Sequence, residues 1–295
     1  MSQLEQKLKA GNFVVTAEIV PPKGVDTSKA LQTAKLLKPW VDAVNVTDQQ
    51  SAMMSLGSLS LCHLIRDAGL EPILQMTTRD RNRIALQSDL LSAYALGIEN
   101  VLCLTGDPVT AGDHPDAKPV FDLDSLALLQ TAKLLEKGQS LAGRPLEGAP
   151  KFFLAAAVSP AVEPMEPQLV SMEKKLEAGA QFFQTQAVFD AALLARFMER
   201  AHRLKAPVLA GLVLVKSGKQ ARFMNEHVYG IKVPEALIQE MDAAPDKKRQ
   251  CVESTARLIV AVKPFCQGVH IMAIGWEPLI PEILKAAGVR TKPAT

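Results

Sequence analysis

The sequence predicts an α/β fold, a single (β/α)8 TIM barrel that spans residues 1–295 as one domain. Short runs rich in β-branched residues recur along the chain, and each is followed by a segment with helical periodicity. Eight such units in 295 residues suit a closed barrel in number and length. The alternative is an open Rossmann-like sheet, but no G-x-G-x-x-G sequence follows any of these runs.

The first four predicted strands lie in the N-terminal third of the chain. They cover residues 13–20, 43–47, 72–77 and 100–105. The helix after the first strand has an apolar face of Ala30, Leu31, Ala34 and Leu37. The next two helices are expected to end at Gly69 and Gly97, because glycine readily adopts the left-handed conformation that closes a helix.

A long loop is predicted over residues 107–122, which contain three prolines and Gly112. Loops of this length in compact domains are usually functional. A helix over 123–137 follows, and the remaining strands are predicted at 151–158, 181–186, 208–215 and 269–274. Most of the eight strands are apolar on both faces, which is typical of parallel strands buried under helices.

Composition and charge exclude several classes of function. The 33 basic and 31 acidic residues leave a net charge of only +2, which does not favour nucleic-acid binding. No apolar run reaches the roughly 18–20 residues of a membrane span, and the N-terminus lacks the pattern of a signal peptide. We therefore expect a cytoplasmic protein without membrane contact. The four cysteines form no C-x-x-C pair and are expected to be buried free thiols, and no metal site is predicted.

Polar residues cluster where the predicted strands end, which is where barrel enzymes carry their chemistry. Glu18 stands out because it lies in an otherwise apolar first strand. It is either a structural carboxylate paired with a distant cation or an acid that burial keeps protonated for proton transfer. Asp107, Lys175 and Gln186 each have an ordinary structural explanation when taken alone: a turn, a solvated helix position and a strand end. The residues by themselves therefore indicate only a barrel enzyme with acidic groups at its mouth.

Several segments together resemble the methylenetetrahydrofolate reductase family. They occur in family order over almost the whole chain, and five in register are a specific signal: Thr16-Ala17-Glu18-Ile19-Val20-Pro21-Pro22, Val44-Asn45-Val46-Thr47, Leu104-Thr105-Gly106-Asp107, Lys175-Leu176-Glu177-Ala178-Gly179-Ala180 and Thr185-Gln186-Ala187-Val188-Phe189-Asp190. The chain is similar to the short bacterial type that lacks a regulatory domain.

The resemblance implies a flavoprotein of one-carbon metabolism that reduces 5,10-methylenetetrahydrofolate to 5-methyltetrahydrofolate, as in methionine biosynthesis. Glu18 would be the general acid that protonates the bridging nitrogen and opens the ring to an iminium cation. Asp107 would hold the pterin, lie near the flavin and stabilise the cation, and Gln186 would hydrogen-bond the pterin. Thr47, Thr105, Asp107, Ala157 and Lys175 would bind the flavin, with FAD as the first choice and FMN as the alternative.

Three positions depart from the best-known bacterial pattern of this family. Thr105 replaces an arginine that contacts the flavin pyrophosphate, which leaves the flavin species open. The stretch Lys216-Ser217-Gly218 lacks an aromatic residue that packs on the substrate and nicotinamide, and Gly275-Trp276-Glu277-Pro278 replaces the usual segment after strand eight. The electron donor is therefore NAD(P)H or a partner subunit, and we expect a homo- or hetero-oligomer.

Two competing hypotheses assign the chain to other classes of function. The first is a non-redox barrel that binds pterins or transfers methyl groups, which would keep the pterin contacts and need no flavin. The second is an unrelated lyase or aldolase, which would require a Schiff-base lysine at a strand end. Only Lys216 comes close to such a position, and it lies beyond the apolar run.

Overall fold

Eight parallel strands form a closed barrel in the computed structural model, which describes residues 1–228 and 230–290. Each strand pairs with its neighbour in sequence, and β1 pairs with β8 to close the ring. The strands are β1 Val14–Ile19, β2 Ala43–Val46, β3 Pro72–Thr77, β4 Asn100–Leu104, β5 Phe153–Val158, β6 Phe182–Ala187, β7 Val208–Val213 and β8 Gly268–Met272. The predicted barrel is confirmed, and every predicted strand is present with ends that differ by at most two residues.

A ring of helices covers the outside of the barrel. The helices, in chain order, are α1 Gln3–Lys9, α2 Ser28–Leu37, α3 Ser58–Asp67, α4 Arg83–Ala95, α5 Ser125–Glu136, α6 Glu166–Glu177, α7 Ala191–Ala201, α8 Gly218–His227, α9 Glu235–Ala243, α10 Lys247–Val262 and α11 Ile280–Ala286. Three of them, α8, α9 and α10, lie between β7 and β8. Of these, α10 packs between α7 and α11 and so occupies the place of the seventh helix of the ring.

The main core lies between the strands and the ring helices. Alternate residues of each strand face it, such as Val15, Ala17 and Ile19 of β1. The other residues of the strands face the barrel lumen, which is why strands that are apolar on both faces fit this architecture. Among the described residues, none of the helices is long and apolar enough to span a membrane.

Helix α1 closes the N-terminal end of the barrel. Leu4 and Leu8 pack into an apolar cluster in the lumen with Val14, Phe153 and Phe182. The rings of Phe153 and Phe182 are stacked, with centroids 4.7 Å apart. Because this end of the lumen is filled with apolar side chains, any ligand must enter from the opposite end, where the strands finish.

Candidate functional site

A cavity of about 390 Å³ opens at the C-terminal ends of the strands. Seven residues carry the predicted site, and six of them line this cavity: Glu18, Thr105, Asp107, Ala157, Lys175 and Gln186. They come from one helix and from four different strands or the turns that follow them, and are up to 168 residues apart in sequence, so only the closure of the barrel brings them together.

Glu18 lies in the lumen because β1 alternates its side chains between the lumen and the ring helices. Its carboxyl group is buried, with 7% of the residue exposed. One oxygen, Oε2, lies 3.8 Å from Nε2 of His270, and the other, Oε1, accepts a hydrogen bond of 3.3 Å from the Gln50 side chain. No lysine or arginine among residues 1–228 and 230–290 pairs with this carboxyl group, and the imidazole of His270 is the ion-pair partner that the structure gives it.

Thr47 is the predicted site residue that does not line the cavity. It follows β2 directly and is buried, with 1% exposed. Its hydroxyl group has no hydrogen-bond partner among the described residues. A buried hydroxyl without a partner is costly, so this group is suited to bond with a ligand or a water molecule.

The turn after β4 carries Asp107 at the rim of the cavity. Gly106 has a φ of +94°, and a Cβ there would lie 3.2 Å from the Cβ atoms of Thr77 and Arg79. Only glycine combines this conformation with such a close approach to β3. The Asp107 side chain is exposed and has no hydrogen-bond partner in the described part of the chain, so its carboxylate is free to face a ligand.

Arg79 was not predicted as a site residue, although it lines the cavity and is one of the largest fully buried side chains. Its guanidinium forms a bidentate ion pair with Asp80, with N···O distances of 2.8 and 2.6 Å. It also donates to the backbone carbonyls of Gln49 and Asp107, at 3.2 and 3.3 Å. Arg79 thus links the loops after β2, β3 and β4 and supplies positive charge beneath Asp107. The lone indication in the sequence was its position two residues after a strand.

Lys175 reaches the cavity from α6. Its Nζ donates a hydrogen bond of 2.7 Å to the carbonyl of Ala157 at the end of β5. Burial lowers the pKa of this ammonium group, and the charge of Asp124 opposes that shift. One hydrogen bond leaves further donor capacity on the ammonium, which is suited to an anionic ligand group.

A bulge in β6 places Gln186 at the cavity. Three residues of β6 advance against two of β7, from the pair Gln184–Leu209 to the pair Ala187–Gly211. The Thr185 hydroxyl secures the bulge by accepting from the backbone N–H of Gly211 and donating to the carbonyl of Gln186. Because of this extra residue, three consecutive side chains, those of Gln184, Thr185 and Gln186, line the cavity.

The loops after β2 and β4 meet beside the cavity. Gly112 packs so closely on Ala52 that a Cβ at Gly112 would lie 1.8 Å from the Ala52 carbonyl oxygen. Asp113 accepts from the Met54 backbone N–H at 2.9 Å and pairs with Lys23 at 3.1 Å. The Met54 N–H, His114 and Lys23 hold the pKa of Asp113 below its ordinary value. The long loop after β4, predicted to be functional, thus supports the loop that carries Gln50.

Other predicted positions lie away from the cavity. Lys216 does not line it; its Nζ contacts the Ile274 carbonyl and lies 5.8 Å from the ring centroid of Trp276. The Trp276 ring packs against the core between strands and helices.

All four cysteines are buried free thiols, as expected, and burial raises the pKa of Cys103, the one of them beside the cavity, to about 12. Residues 1–228 and 230–290 contain no cluster of side chains suited to hold a metal ion.

Comparison with known proteins gives the family. The profile described as methylenetetrahydrofolate reductase matches residues 3–288. The chain belongs to the methylenetetrahydrofolate reductase family. The resemblance seen in the sequence motifs is thereby confirmed.

Individual members of the methylenetetrahydrofolate reductase family are distant in sequence. The 5,10-methylenetetrahydrofolate reductase of Pectobacterium carotovorum is 24% identical over 296 residues, which cover 95% of this chain and 92% of that protein. Methylenetetrahydrofolate reductase 2 of Schizosaccharomyces pombe is 23% identical over 98% of this chain, and the match spans 47% of its own length. The chain therefore spans about half of the yeast relative and nearly all of the bacterial one.

Among solved structures, a protein of Clostridium thermocellum described as uncharacterised superposes with a TM-score of 0.64 at 15% identity, over 97% of this chain and 98% of that one. It is described as binding two copies of 5-methyl-5,6,7,8-tetrahydrofolic acid. A 2,3-dimethylmalate lyase superposes with a TM-score of 0.55 at 11% identity. Such likenesses show a shared barrel and nothing finer.

Proposed function

We propose that this chain is a flavin-dependent reductase that converts 5,10-methylenetetrahydrofolate to 5-methyltetrahydrofolate. The observation that carries the proposal is the buried carboxyl group of Glu18 inside a cavity whose rim bears Asp107 and Gln186. Membership of the family supplies the reaction, and the C. thermocellum protein adds a structural neighbour that binds a methylated folate.

The residues of the cavity fit a flavin. Lys175 offers a half-buried ammonium with unused donors, and Thr47, which lies outside the cavity lining, has a buried hydroxyl group without a partner among the described residues. Arg79 adds a buried positive charge where Thr105 departs from the bacterial pattern. We assign Thr47, Thr105, Asp107, Ala157 and Lys175 to flavin binding. When bound and reduced, the flavin would supply the hydride that turns the methylene group of the folate into a methyl group.

Glu18 would deliver the proton for this reaction. The proton goes to the bridging nitrogen of the folate, and the bond between that nitrogen and the methylene carbon breaks, which leaves the carbon electron-poor and ready to accept a hydride. Glu18 is suited to this step because its carboxyl group lies in the cavity, where Gln50 and His270 contact its two oxygens.

Asp107 and Gln186 would orient the folate and stabilise it. The amide of Gln186 offers both a donor and an acceptor, which matches the edge of a pterin. The exposed carboxylate of Asp107 would stabilise positive charge that develops on the methylene carbon. The backbone fixes the position of both side chains: the β6 bulge positions Gln186, and the turn at Gly106 positions Asp107.

The proposal is tested by the visible spectrum of the protein and by the half-reaction with the folate. Purified protein should bind FAD or FMN and absorb at about 450 nm, which is a property of the cofactor. Under anaerobic conditions the reduced, loaded protein should be reoxidised by methylenetetrahydrofolate with formation of 5-methyltetrahydrofolate. Tight folate binding without any flavin binding would instead indicate the second candidate, a non-redox pterin-binding barrel, which the methylfolate ligands of the C. thermocellum neighbour favour.

A further inference from the structure

His270 is a buried titratable group that the proposed chemistry does not yet use. It lies on β8, is 3% exposed, and its ring lines the same cavity as Glu18. Nδ1 lies 3.0 Å from the Thr16 hydroxyl, and Nε2 lies 3.8 Å from Oε2 of Glu18. The imidazole therefore connects a hydroxyl group at one layer of the lumen with the carboxyl group at the next.

The register of the barrel creates this arrangement. Thr16 and Glu18 point into the lumen from β1, because residues two apart share a face. The closing pair of strands aligns Thr16 with His270, so the ring lies beside Thr16 and one layer below Glu18. Two contacts at opposite ends of the ring orient it, and the distance to Glu18 is that of an ion pair rather than a hydrogen bond.

Gln50 secures the other side of the carboxyl group. Its side-chain amide donates to Oε1, while His270 faces Oε2. The carboxyl group is thus held between an amide NH2 group, which donates a hydrogen bond, and an imidazole that can both give and accept a proton. Of these two neighbours, only His270 can exchange a proton with Glu18.

A count of protons shows what this pairing achieves. A protonated carboxyl beside a neutral imidazole holds as many protons as a carboxylate beside an imidazolium, so the two states interconvert without any exchange with solvent. A proton held on the imidazole can therefore pass to the carboxyl group after Glu18 has donated its own.

We propose that His270 is a positioning residue for Glu18, whose imidazole, oriented by Thr16, aims the carboxyl group into the cavity and shares the proton that Glu18 delivers to the folate. This role rests on the proposed reductase function. It adds a requirement to that function, because Glu18 must regain a proton in every turnover. The apolar plug, which is the cluster of Leu4, Leu8, Val14, Phe153 and Phe182 at the closed end of the lumen, offers no polar route to it.

Other titratable groups of the cavity have partners or positions of their own. Asp48 accepts hydrogen bonds from the Thr77 backbone and hydroxyl and pairs with Arg81. Arg79 pairs with Asp80, Lys175 bonds to Ala157, and Asp107 lies on the rim. Cys103 is a thiol whose pKa burial raises to about 12. Within residues 1–228 and 230–290, none of these groups forms a salt bridge or hydrogen bond with Glu18.

The first test needs neither flavin nor folate. Protein with ¹⁵N-labelled imidazoles is observed by NMR, and His270 is assigned by the signal that disappears in His270→Gln. We expect Glu18→Gln to change the ¹⁵N chemical shifts of His270, because it replaces the carboxyl group that faces Nε2. The signals of the exposed His202 should be the same in both proteins. An unchanged His270 signal in Glu18→Gln would overturn the pairing.

The second test is the folate half-reaction in flavin-loaded protein. In His270→Gln the maximal rate of this half-reaction should fall, while flavin binding and the rate of flavin reduction stay at wild-type values, because glutamine can neither orient the carboxyl group in the same way nor return a proton to it. His202→Gln is the matched control and should keep the wild-type rate. A parallel loss of flavin binding and flavin reduction in His270→Gln would indicate a merely structural role and overturn the proposal.

Thr16 provides a second pair of variants in case His270→Gln folds poorly. Thr16→Val removes the hydroxyl that orients the ring, and Thr16→Ser keeps it. We expect the folate half-reaction to slow in Thr16→Val and to recover in Thr16→Ser. Equal rates in the two variants would count against the orienting contact. Failure of the reductase function would look different: the NMR coupling would persist while wild-type protein failed to reduce methylenetetrahydrofolate at any pH.

Discussion

Asn45 and Gln184 exchange two hydrogen bonds across the barrel lumen. The amide of Asn45 donates to Gln184 Oε1 at 2.7 Å, and that of Gln184 donates to Asn45 Oδ1 at 3.0 Å. Their strands, β2 and β6, lie opposite each other in the closed ring of eight. This pair separates the apolar plug around Leu8 from the polar cavity above it, where Gln184 forms part of the lining.

A double-mutant cycle should show that this pair acts as a unit. Asn45→Val or Gln184→Met alone leaves a buried amide without its partner, which typically costs about 1–3 kcal/mol of the free energy of unfolding. The double variant removes both polar groups and should recover much of that loss. Urea denaturation of the four proteins measures the coupling. Losses that simply add would show that the two amides do not depend on each other.

Glu18→Gln should abolish reduction of the folate while flavin binding and flavin reduction survive. Glutamine keeps the shape of the side chain and cannot release a proton, and loss of a general acid typically costs about 10²–10⁴-fold. Anaerobic stopped-flow mixing of the reduced protein with methylenetetrahydrofolate measures this step. Glu173→Gln on α6 removes a carboxylate outside the cavity and should behave like the wild type. A normal folate half-reaction in Glu18→Gln would remove this residue from the mechanism.

Asp107→Asn should retain the flavin, raise its reduction potential and weaken folate reduction. Removal of a negative charge near the isoalloxazine ring favours the anionic reduced form. We expect a shift of tens of millivolts, since about 30 mV corresponds to about 1.4 kcal/mol for a two-electron couple. Potentiometry of Asp116→Asn, an exposed position in the same loop, provides the control. An unchanged or lower potential in Asp107→Asn would place this carboxylate away from the flavin.

Lys175→Gln should weaken flavin binding, and Lys174→Gln should not. The two lysines are adjacent on α6, yet only Lys175 lines the cavity and Lys174 is exposed. Loss of a charge-assisted hydrogen bond of about 1.5–3 kcal/mol corresponds to an affinity about 10- to 100-fold lower. Flavin titrations followed by fluorescence measure both variants. Equal affinities of the two variants would show that Lys175 does not contact the cofactor.

The isolated chain should react slowly with NAD(P)H and rapidly with a reduced viologen. A nicotinamide ring requires a flat apolar surface that holds it at hydride-transfer distance. Gly218 is buried against the Asp242 carboxylate, and Trp276 packs on the outer core instead of lining the cavity. Stopped-flow mixing of flavin-loaded protein with NADH tests this expectation. Bleaching at rates typical of turnover, about 1–10³ per second, would show that no partner subunit is needed.

The architecture and most of the candidate site were predictable from local sequence. Alternation of apolar runs with helical segments predicts eight parallel strands, and in such a barrel the functional groups lie at the strand ends. Glu18, Thr105, Asp107 and Gln186 could therefore be assigned to one face before any contact was known, and all four line the cavity. Their chemical roles remain predictions that rest on the family resemblance.

The relationships between distant residues were decided by the tertiary structure alone. His270 lies beside Thr16 because β8 closes against β1, and Asn45 meets Gln184 because β2 and β6 face each other across the lumen. Sequence periodicity reports which face of a strand a side chain occupies, but it carries no information on register between strands or on a bulge such as the one at Gln186. The local sequence pattern thus predicted which segments form strands, whereas the contacts of Glu18 depend on how the barrel closes.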